Sequence, residues 1–141
     1  MAVSSLKMDI AKQPGIICNS VILVESIFKR EPEIPQHVNM EMQIEINNSI
    51  AQDSSALSSE VILTVNKPES SVYARVTYVG IFTVNDSPNL DLNEFADCNA
   101  PAIIFPYIRE EIHNRMMKAG IPLMILPPIN IKALVDASKC K

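Results

Sequence analysis

Apolar and polar residues alternate almost without fault along the segment VNMEMQIEIN at residues 38–47. Its apolar positions are Val38, Met40, Met42, Ile44 and Ile46. A period of two is typical of a β-strand with one face buried and the other in water, as antiparallel sheets commonly have. The pattern therefore predicts a strand that packs one face against a core.

Three further segments have the composition of strands. They are CNSVILVESIFKR at 18–30, ALSSEVILTVN at 56–66 and SVYARVTYVGIFTV at 71–84, and they are rich in β-branched and aromatic residues. Two prolines end the first strand, residues 67–70 read as a hairpin turn, and the serine-rich stretch at 47–59 predicts a loop. Four strands in sequence, spanning about residues 16–84, most simply form an antiparallel meander.

The last third of the chain has helical periodicity. Apolar residues recur every four positions at Ile104, Ile108, Ile112 and Met116. These positions mark one face of a helix, which the glycine at 120 ends and the proline at 122 keeps from restarting. A second helix, IKALVDASK, is predicted at 131–139 with an asparagine cap before it.

Pro106 stands inside the first helical pattern. A proline in a helix interior costs about 3 kcal/mol, because it removes a hydrogen bond and its ring presses on the preceding turn. On propensity alone, the helix is therefore expected to begin near Pro106, where a proline is tolerated. Strands first and helices afterwards, the latter at about residues 91–139, predict a single α+β domain over residues 1–141, with helices on one face of the sheet.

Composition narrows the class of partner. The net charge of −4 argues against nucleic acid, because phosphate binding needs a basic surface. No apolar run reaches the length of about 18 residues that a membrane span needs, so no membrane insertion is expected. Three cysteines without CxxC spacing favour free thiols in a reducing compartment. The apolar stretch at 15–24 resembles a signal peptide but is interrupted by Asn19 and Ser20, so we expect a cytoplasmic protein.

Reactive groups are sparse in the sequence. The two histidines, His37 and His113, have no partners at metal-ligand spacing, and no glycine-rich loop is present to hold phosphates. We therefore expect neither an enzyme nor a bound metal or cofactor. The segment GIPLMILPP at 120–128 is instead an apolar stretch between prolines, which must be covered by the chain's own sheet or by a partner. The seven methionines suit an adaptable apolar surface of that kind.

The helical third of the chain resembles the SecB family of protein-export chaperones. The similarity lies in APAIIFPYIREEI, followed by KAGIPLMILPPINIKAL. The positions that match the family's motif are Pro101, Phe105, Pro106, Tyr107, Arg109, Gly120, Pro122, Leu126, Pro128, Asn130, Ala133 and Leu134. The detailed match covers about 50 residues, and the order of the strands extends it over nearly all of the rest.

The resemblance implies a four-stranded antiparallel sheet, a long bent helix that contains Pro106, an apolar loop and a short C-terminal helix. It also implies a homotetramer built as a dimer of dimers. The family acts as an ATP-independent holdase that binds unfolded client polypeptides in apolar grooves.

Two sets of residues follow from this comparison and from the apolar patterns. We assign the client-binding groove to Val38, Met40, Met42, Ile44, Leu123, Ile125 and Leu134. We assign the oligomer interface to Ile104, Ile108, Ile112 and Met116, because this stripe looks too long to be used wholly by one small sheet.

The chain departs from family members that deliver clients to the export ATPase. Such members carry acidic residues on the exposed sheet face, whereas this chain has Lys29 or Arg30, and Arg75, at comparable places. Its sequence closes on Lys139, Cys140 and Lys141 instead of acidic residues. Two alternatives therefore stay open. One is a SecB-like chaperone that guards a single antitoxin of a toxin–antitoxin system, and the other is a structural or ligand-binding α+β protein without chaperone activity.

Overall fold

The computed structural model describes residues 15–85 and 91–121. Its strands are β1 (Ile16–Arg30), β2 (Met42–Ile50), β3 (Ala56–Val65) and β4 (Val72–Val84). A helical segment follows, made of a short α1 (Leu92–Glu94), a π-helical turn (Phe95–Asn99) and a long α2 (Ala100–Lys118). The predicted α+β class, with a four-stranded antiparallel sheet before a long helix, is confirmed. The predicted apolar loop and second helix lie outside the described residues.

The strand order is β1-β4-β3-β2, so the prediction of a simple meander is wrong. Strands β2, β3 and β4 do form a meander, but β1 pairs with β4 at the edge opposite β2. Pro32 and Pro35 end β1, because proline cannot donate to a strand ladder, but they do not decide which strand becomes its neighbour. Residues 31–41, which we call the crossover segment, carry the chain from one edge of the sheet to the other.

Two strand boundaries also differ from the prediction. Strand β2 begins at Met42, so residues 38–41 belong to the crossover segment despite their alternating pattern. The serine-rich stretch at 47–59 was predicted as a loop, but it belongs to β2 as far as Ile50 and to β3 from Ala56 onwards. Several of its polar side chains, such as Asn47 and Ser49, are exposed, which is why the composition looked like that of a loop, although Ser59 is fully buried on the core side. The hairpin turn at 67–70 is confirmed, with Ser70 donating its backbone N–H to the Lys67 carbonyl at 2.9 Å.

The core lies between α2 and the two central strands. Every second residue of β3 and β4 faces α2, and one side of the helix packs against these residues. The fully buried members of this cluster are Val61, Leu63, Val65, Val72, Ala74, Val76, Ile104, Ile108, Ile112 and Met116. Gly80 allows this close packing, because a Cβ there would lie 2.8 Å from Cδ1 of Ile104.

The helical segment begins well before Pro106, so the expected start near that residue is wrong. Asp91 caps α1 by accepting backbone N–H groups of Asn93 and Glu94 at 2.9 and 3.1 Å. The π-helical turn lies directly before Pro101, which has no N–H and so cannot make the usual bond to the carbonyl four residues earlier. The N–H of Ala100 bonds the carbonyl of Phe95, five residues earlier, which is the spacing of a π-helix.

The predicted end of the helix at Gly120 is confirmed. Gly120 has a φ of 69° and donates its N–H to the Met117 carbonyl at 3.2 Å. Ile121 donates its N–H to the Met116 carbonyl at 3.1 Å, and both side chains join the core. These two bonds make a Schellman motif, in which a left-handed glycine turns the chain out of the helix.

Cys18 is a free, exposed thiol, as predicted. Cys98 is buried and disulfide-bonded, so the prediction of free thiols is wrong for that residue. Within residues 15–85 and 91–121, no helix is long and apolar enough to cross a membrane.

Candidate binding surfaces on the sheet and helix

The crossover segment forms one wall of an apolar pocket. The pocket has a volume of about 470 Å³, and its other walls are the start of β4 and the end of α2. Its apolar lining consists of Ile34, Pro35, Val38, Met40, Val72 and Ile121, with Arg30 at the rim. A concave apolar site with few polar groups suits the binding of apolar side chains.

A second pocket, of about 370 Å³, lies on the other side of the same segment. Its lining is mainly polar and includes His37, Asn39, Glu41, Lys67 and Ser71. The two pockets share Pro35 and Val38. The crossover segment therefore separates an apolar pocket from a hydrated one.

The structure brings together only part of the predicted groove. Val38 and Met40 are half-buried and line the apolar pocket, whereas Met42 and Ile44 do not. Met42 is exposed at the start of β2, and Ile44 packs between the sheet and Phe105 of α2. The other predicted groove residues, Leu123, Ile125 and Leu134, lie outside the described residues.

Sequence reasoning missed several residues of this pocket. Ile34 had a weak signal, as a lone apolar residue between two prolines in a polar stretch. Val72 had none, since it looked like an ordinary core residue, whereas Ile121 was recognised as part of the apolar stretch at 120–128 but not as a wall of this pocket. Pairings between distant segments place them in the pocket, and such pairings cannot be read from periodicity.

Two polar side chains hold the crossover segment at its ends. Arg30 donates from its guanidinium to the carbonyls of Glu31, Pro32 and Ala119. Asn66 holds the other end, because its side-chain oxygen accepts the N–H of Glu41 at 2.9 Å and its backbone N–H bonds the Glu41 carbonyl at 2.8 Å.

The predicted oligomer interface is used within the single chain. Ile104, Ile108, Ile112 and Met116 are all 0% exposed, because they pack on the protomer's own sheet. They have no surface left for a second subunit. The large hydrophobic residues that α2 exposes are Ile103, Tyr107 and Met117, at 41%, 48% and 65%.

The free edge of the sheet at β1 is apolar. Ile17, Ile22, Leu23 and Val24 are large hydrophobic residues that are exposed there. Two register irregularities, between Cys18 and Ser20 and between Leu23 and Glu25, interrupt the alternation of faces along this strand. An exposed apolar edge strand is an open template for pairing with another chain.

The β1 edge and α2 approach each other around Tyr78. Leu23 is the direct neighbour of Tyr78 in the sheet, and the ring of Tyr78 lies 5.9 Å from that of Tyr107. Burial raises the pKa of the Tyr78 hydroxyl, and the nearby carboxylates Glu111 and Glu110 raise it further. The exposed apolar side chains of β1 and α2 thus lie on either side of a neutral tyrosine.

The face of the sheet away from α2 carries charges of both signs. Nε of Arg75 lies 3.2 Å from Oε1 of Glu25, and Nζ of Lys29 lies 5.5 Å above the ring of Tyr73. The β2–β3 half of this face has Glu45 and Glu60 instead. Arg30, which the sequence left as an alternative to Lys29 on this face, bonds the end of α2 on the opposite face.

No cluster of three or more metal-ligating side chains occurs among the described residues. Their arrangement offers one apolar pocket and an apolar edge at β1, which can bind polypeptide side chains.

Comparison with known proteins identifies the family. The model of the SecB family, described as preprotein translocase subunit SecB, matches residues 20–141. The protein-export protein SecB of Chromobacterium violaceum is 34% identical over 121 residues, which cover 80% of this chain and 81% of that protein. The SecB of Methylobacillus flagellatus is 32% identical over 104 residues, covering 70% and 66% of the two chains.

A solved structure shares the fold. It is a SecB-like chaperone of Mycobacterium tuberculosis in complex with a ChAD peptide from the HigA1 antitoxin, with a TM-score of 0.68 and 14% identity. The match covers 81% of this chain and 87% of that one. With the extent of the family match and the similarity to its export proteins, the chain belongs to the SecB family of protein-export chaperones, which are not enzymes.

Proposed function

We propose that this chain is an ATP-independent holdase of the cytoplasm, which binds non-native polypeptides and delays their folding before export. The observation that carries the proposal is the apolar pocket between the crossover segment, β4 and the end of α2. An unfolded client presents apolar side chains that a folded protein hides. Burying one such side chain contributes about 1.5–3 kcal/mol, and ordering of the client offsets much of this gain.

Weak individual pockets can still hold a client when several act together. We propose that the chain forms a homotetramer, built as a dimer of dimers, in which one client spans several pockets. Each later contact is then made at a high effective concentration, which raises the overall affinity without any new type of contact. The exposed apolar side chains of β1 and the outer side of α2 support this assembly, because one chain alone leaves them in water.

The direct test is suppression of aggregation of a chemically unfolded protein, measured by light scattering. The unmodified chain should suppress aggregation without nucleotide. Met40→Ser should weaken this effect, since Met40 lines the pocket. Met42→Ser is the matched control, because Met42 is exposed and lies outside the pocket lining.

Failure of the unmodified assembled protein to delay aggregation would refute the holdase proposal. It would favour the alternative of a structural or ligand-binding protein that has kept the fold. An equal loss in both methionine variants would contradict the placement of the client in this pocket.

A dedicated role beside a toxin–antitoxin pair is the second candidate. The specific observation in its favour is the pair of cations, Lys29 and Arg75, on the outer face of the sheet. They would weaken docking of a basic tail of the export ATPase, as like charges at an interface do. A broad range of clients would favour export, whereas binding of one antitoxin, encoded beside this chain, would favour the dedicated role.

A further inference from the structure

Asn66 connects three parts of the chain through one side chain. It follows β3 with a φ of 61°, a left-handed conformation that asparagine tolerates better than most residues. Its amide nitrogen donates to the carbonyl of Val72 at 3.0 Å and lies 3.5 Å from Sδ of Met40. With its two bonds to Glu41, the residue fixes the last part of the crossover segment against the start of β4.

Arg30 does the same at the other end of the segment. Its Nε donates to the Glu31 carbonyl at 3.0 Å, one terminal nitrogen to the Pro32 carbonyl at 3.2 Å, and the other to the carbonyl of Ala119. Ala119 caps the C-terminus of α2, where a positive charge is favoured by the helix dipole. One guanidinium therefore joins the crossover segment to the end of the helix.

The two residues hold opposite walls of the same pocket. Met40 and Val72, which Asn66 contacts, line it, and so does Gly120, which follows the helix cap that Arg30 bonds. Arg30 itself stands at the rim. The N–H of Glu31 also donates to the carbonyl of Ser71 at 2.8 Å, and the crossover segment has no regular secondary structure of its own.

We propose that Arg30 and Asn66 are positioning residues that set the width of the apolar pocket, and so determine which client side chains it prefers. The inference rests on the proposed function, because it assumes that clients bind in this pocket. A pocket with fixed walls favours the side chain that fills it. When the walls of the pocket can move apart, the preference for one size of side chain falls. Client contacts that do not depend on the width of the pocket persist.

Arg30→Lys is the first test variant. It keeps the positive charge but loses the planar fork that reaches three carbonyls at once. Its matched control is Arg75→Lys, the same change on the opposite face of the sheet.

Asn66→Gly is the second variant. It keeps the left-handed backbone without strain and removes only the side-chain bonds. Its matched control is Ser54→Gly, because Ser54 has a similar φ of 59° in the turn between β2 and β3, away from the pocket.

The measurement uses unstructured peptides that differ at one anchor position, with alanine, leucine or phenylalanine there. The unmodified protein should prefer the leucine or phenylalanine peptide to the alanine peptide. Each test variant should lose about tenfold in affinity for the preferred peptide, as expected when one or two hydrogen bonds that hold a binding wall are removed. Affinity for the alanine peptide should change little, and both controls should keep the full preference.

Hydrogen exchange provides a readout that needs no client. Amides of residues 33–41 should exchange faster in both test variants than in the controls, in protein that remains folded and assembled. If Arg30→Lys does not fold, Asn66→Gly alone decides the outcome.

Three results would overturn the inference. The first is an unchanged anchor preference in a folded variant, and the second is an equal loss of affinity for all peptides, which indicates general destabilisation. The third is unchanged exchange at 33–41. If the unmodified protein bound no peptide, the proposed function would fail together with this inference, whereas retained preference in the variants would overturn only the positioning roles.

Discussion

The two edges of the sheet differ in the way they expose apolar side chains. At β2, residues 43–50 alternate strictly between exposed and half-buried, and the exposed ones are polar. At β1, exposed positions include Ile17 and Val24, and the alternation is interrupted twice. Among the described residues, β2 exposes one large hydrophobic side chain, Met42 at 37%, whereas β1 exposes four, so the β1 edge leaves the larger apolar surface to be covered. We infer that binding of clients belongs to the crossover side of the molecule and subunit assembly to the β1 side.

The largest effect is expected from placing a charge on the β1 edge. Val24→Glu should dissociate the assembly, because an interface there would lose about 1.5–3 kcal/mol of apolar burial and would have to bury a carboxylate. Light scattering at micromolar concentration measures the mass. Met42→Glu, the corresponding change at the other edge, should leave the mass unchanged. An intact assembly in the Val24 variant would remove the proposed distinction between the edges.

The second prediction concerns the distance between α2 and the central strands of the sheet. Gly80→Ala should lower the free energy of unfolding by about 1–3 kcal/mol through overpacking. The added Cβ would lie 2.8 Å from Cδ1 of Ile104, a side chain that is fully buried. Urea denaturation measures the change.

Removing the Cδ1 methyl group of Ile104 provides the control. Ile104→Val should recover part of the loss in the Gly80→Ala background, although it is destabilising by itself. It should not rescue Gly120→Ala, where a Cβ meets nothing within 4 Å and the cost comes from the φ of 69°. Simple additivity of the Gly80 and Ile104 changes would contradict direct contact between the two sites.

A smaller effect is expected on the outer face, where the two halves of the sheet differ in charge. Arg75→Glu should strengthen binding of a basic peptide several-fold, with the gain reduced by added salt, because it replaces a cation by an anion beside Glu25. The free energy of unfolding should change by less than about 1 kcal/mol, as is usual when an exposed ion pair is lost. Tight binding of the basic peptide to the unmodified chain would show that Arg75 does not oppose it.

The smallest effect concerns Tyr78, beside the β1 edge. Its folded-state pKa is raised, chiefly by burial, so its contribution to stability is present below the unfolded pKa of about 10 and is lost as pH rises through the folded value. Stability should therefore fall in alkaline solution, and Tyr78→Phe should reduce this fall. Thermal unfolding between neutral and alkaline pH measures it, and identical curves for both proteins would contradict the shift.

Periodicity predicted the parts of the fold that depend on neighbouring residues. It identified the four strands, the faces of β2 and the buried stripe that begins at Ile104, and the glycine at 120 marked the end of the helix. It gave the wrong strand order, because nothing local in the sequence states that β1 pairs with β4. It also assigned the Ile104 stripe to a subunit interface, since periodicity shows that a face is apolar but not what covers it.

The candidate site was harder to predict, because its walls come from distant segments. Asn66 binds a residue 25 positions earlier, and Arg30 bonds one 89 positions later. Asn66 looked like an ordinary polar residue in the sequence, and Arg30 was considered only as an alternative to Lys29 on the exposed sheet face. Val38 and Met40 were predicted through the family resemblance, and the structure places both in the apolar pocket.

Hydrogen exchange of the assembled, unmodified protein with and without an unfolded client tests the distinction between the two sides most directly. Addition of the client should slow exchange in residues 34–41 and 119–121, which line or adjoin the apolar pocket, and should leave the β1 edge at 17–24 unchanged. Slowed exchange at 17–24 with none at 34–41 would contradict the proposal, because it would place the client on the β1 edge.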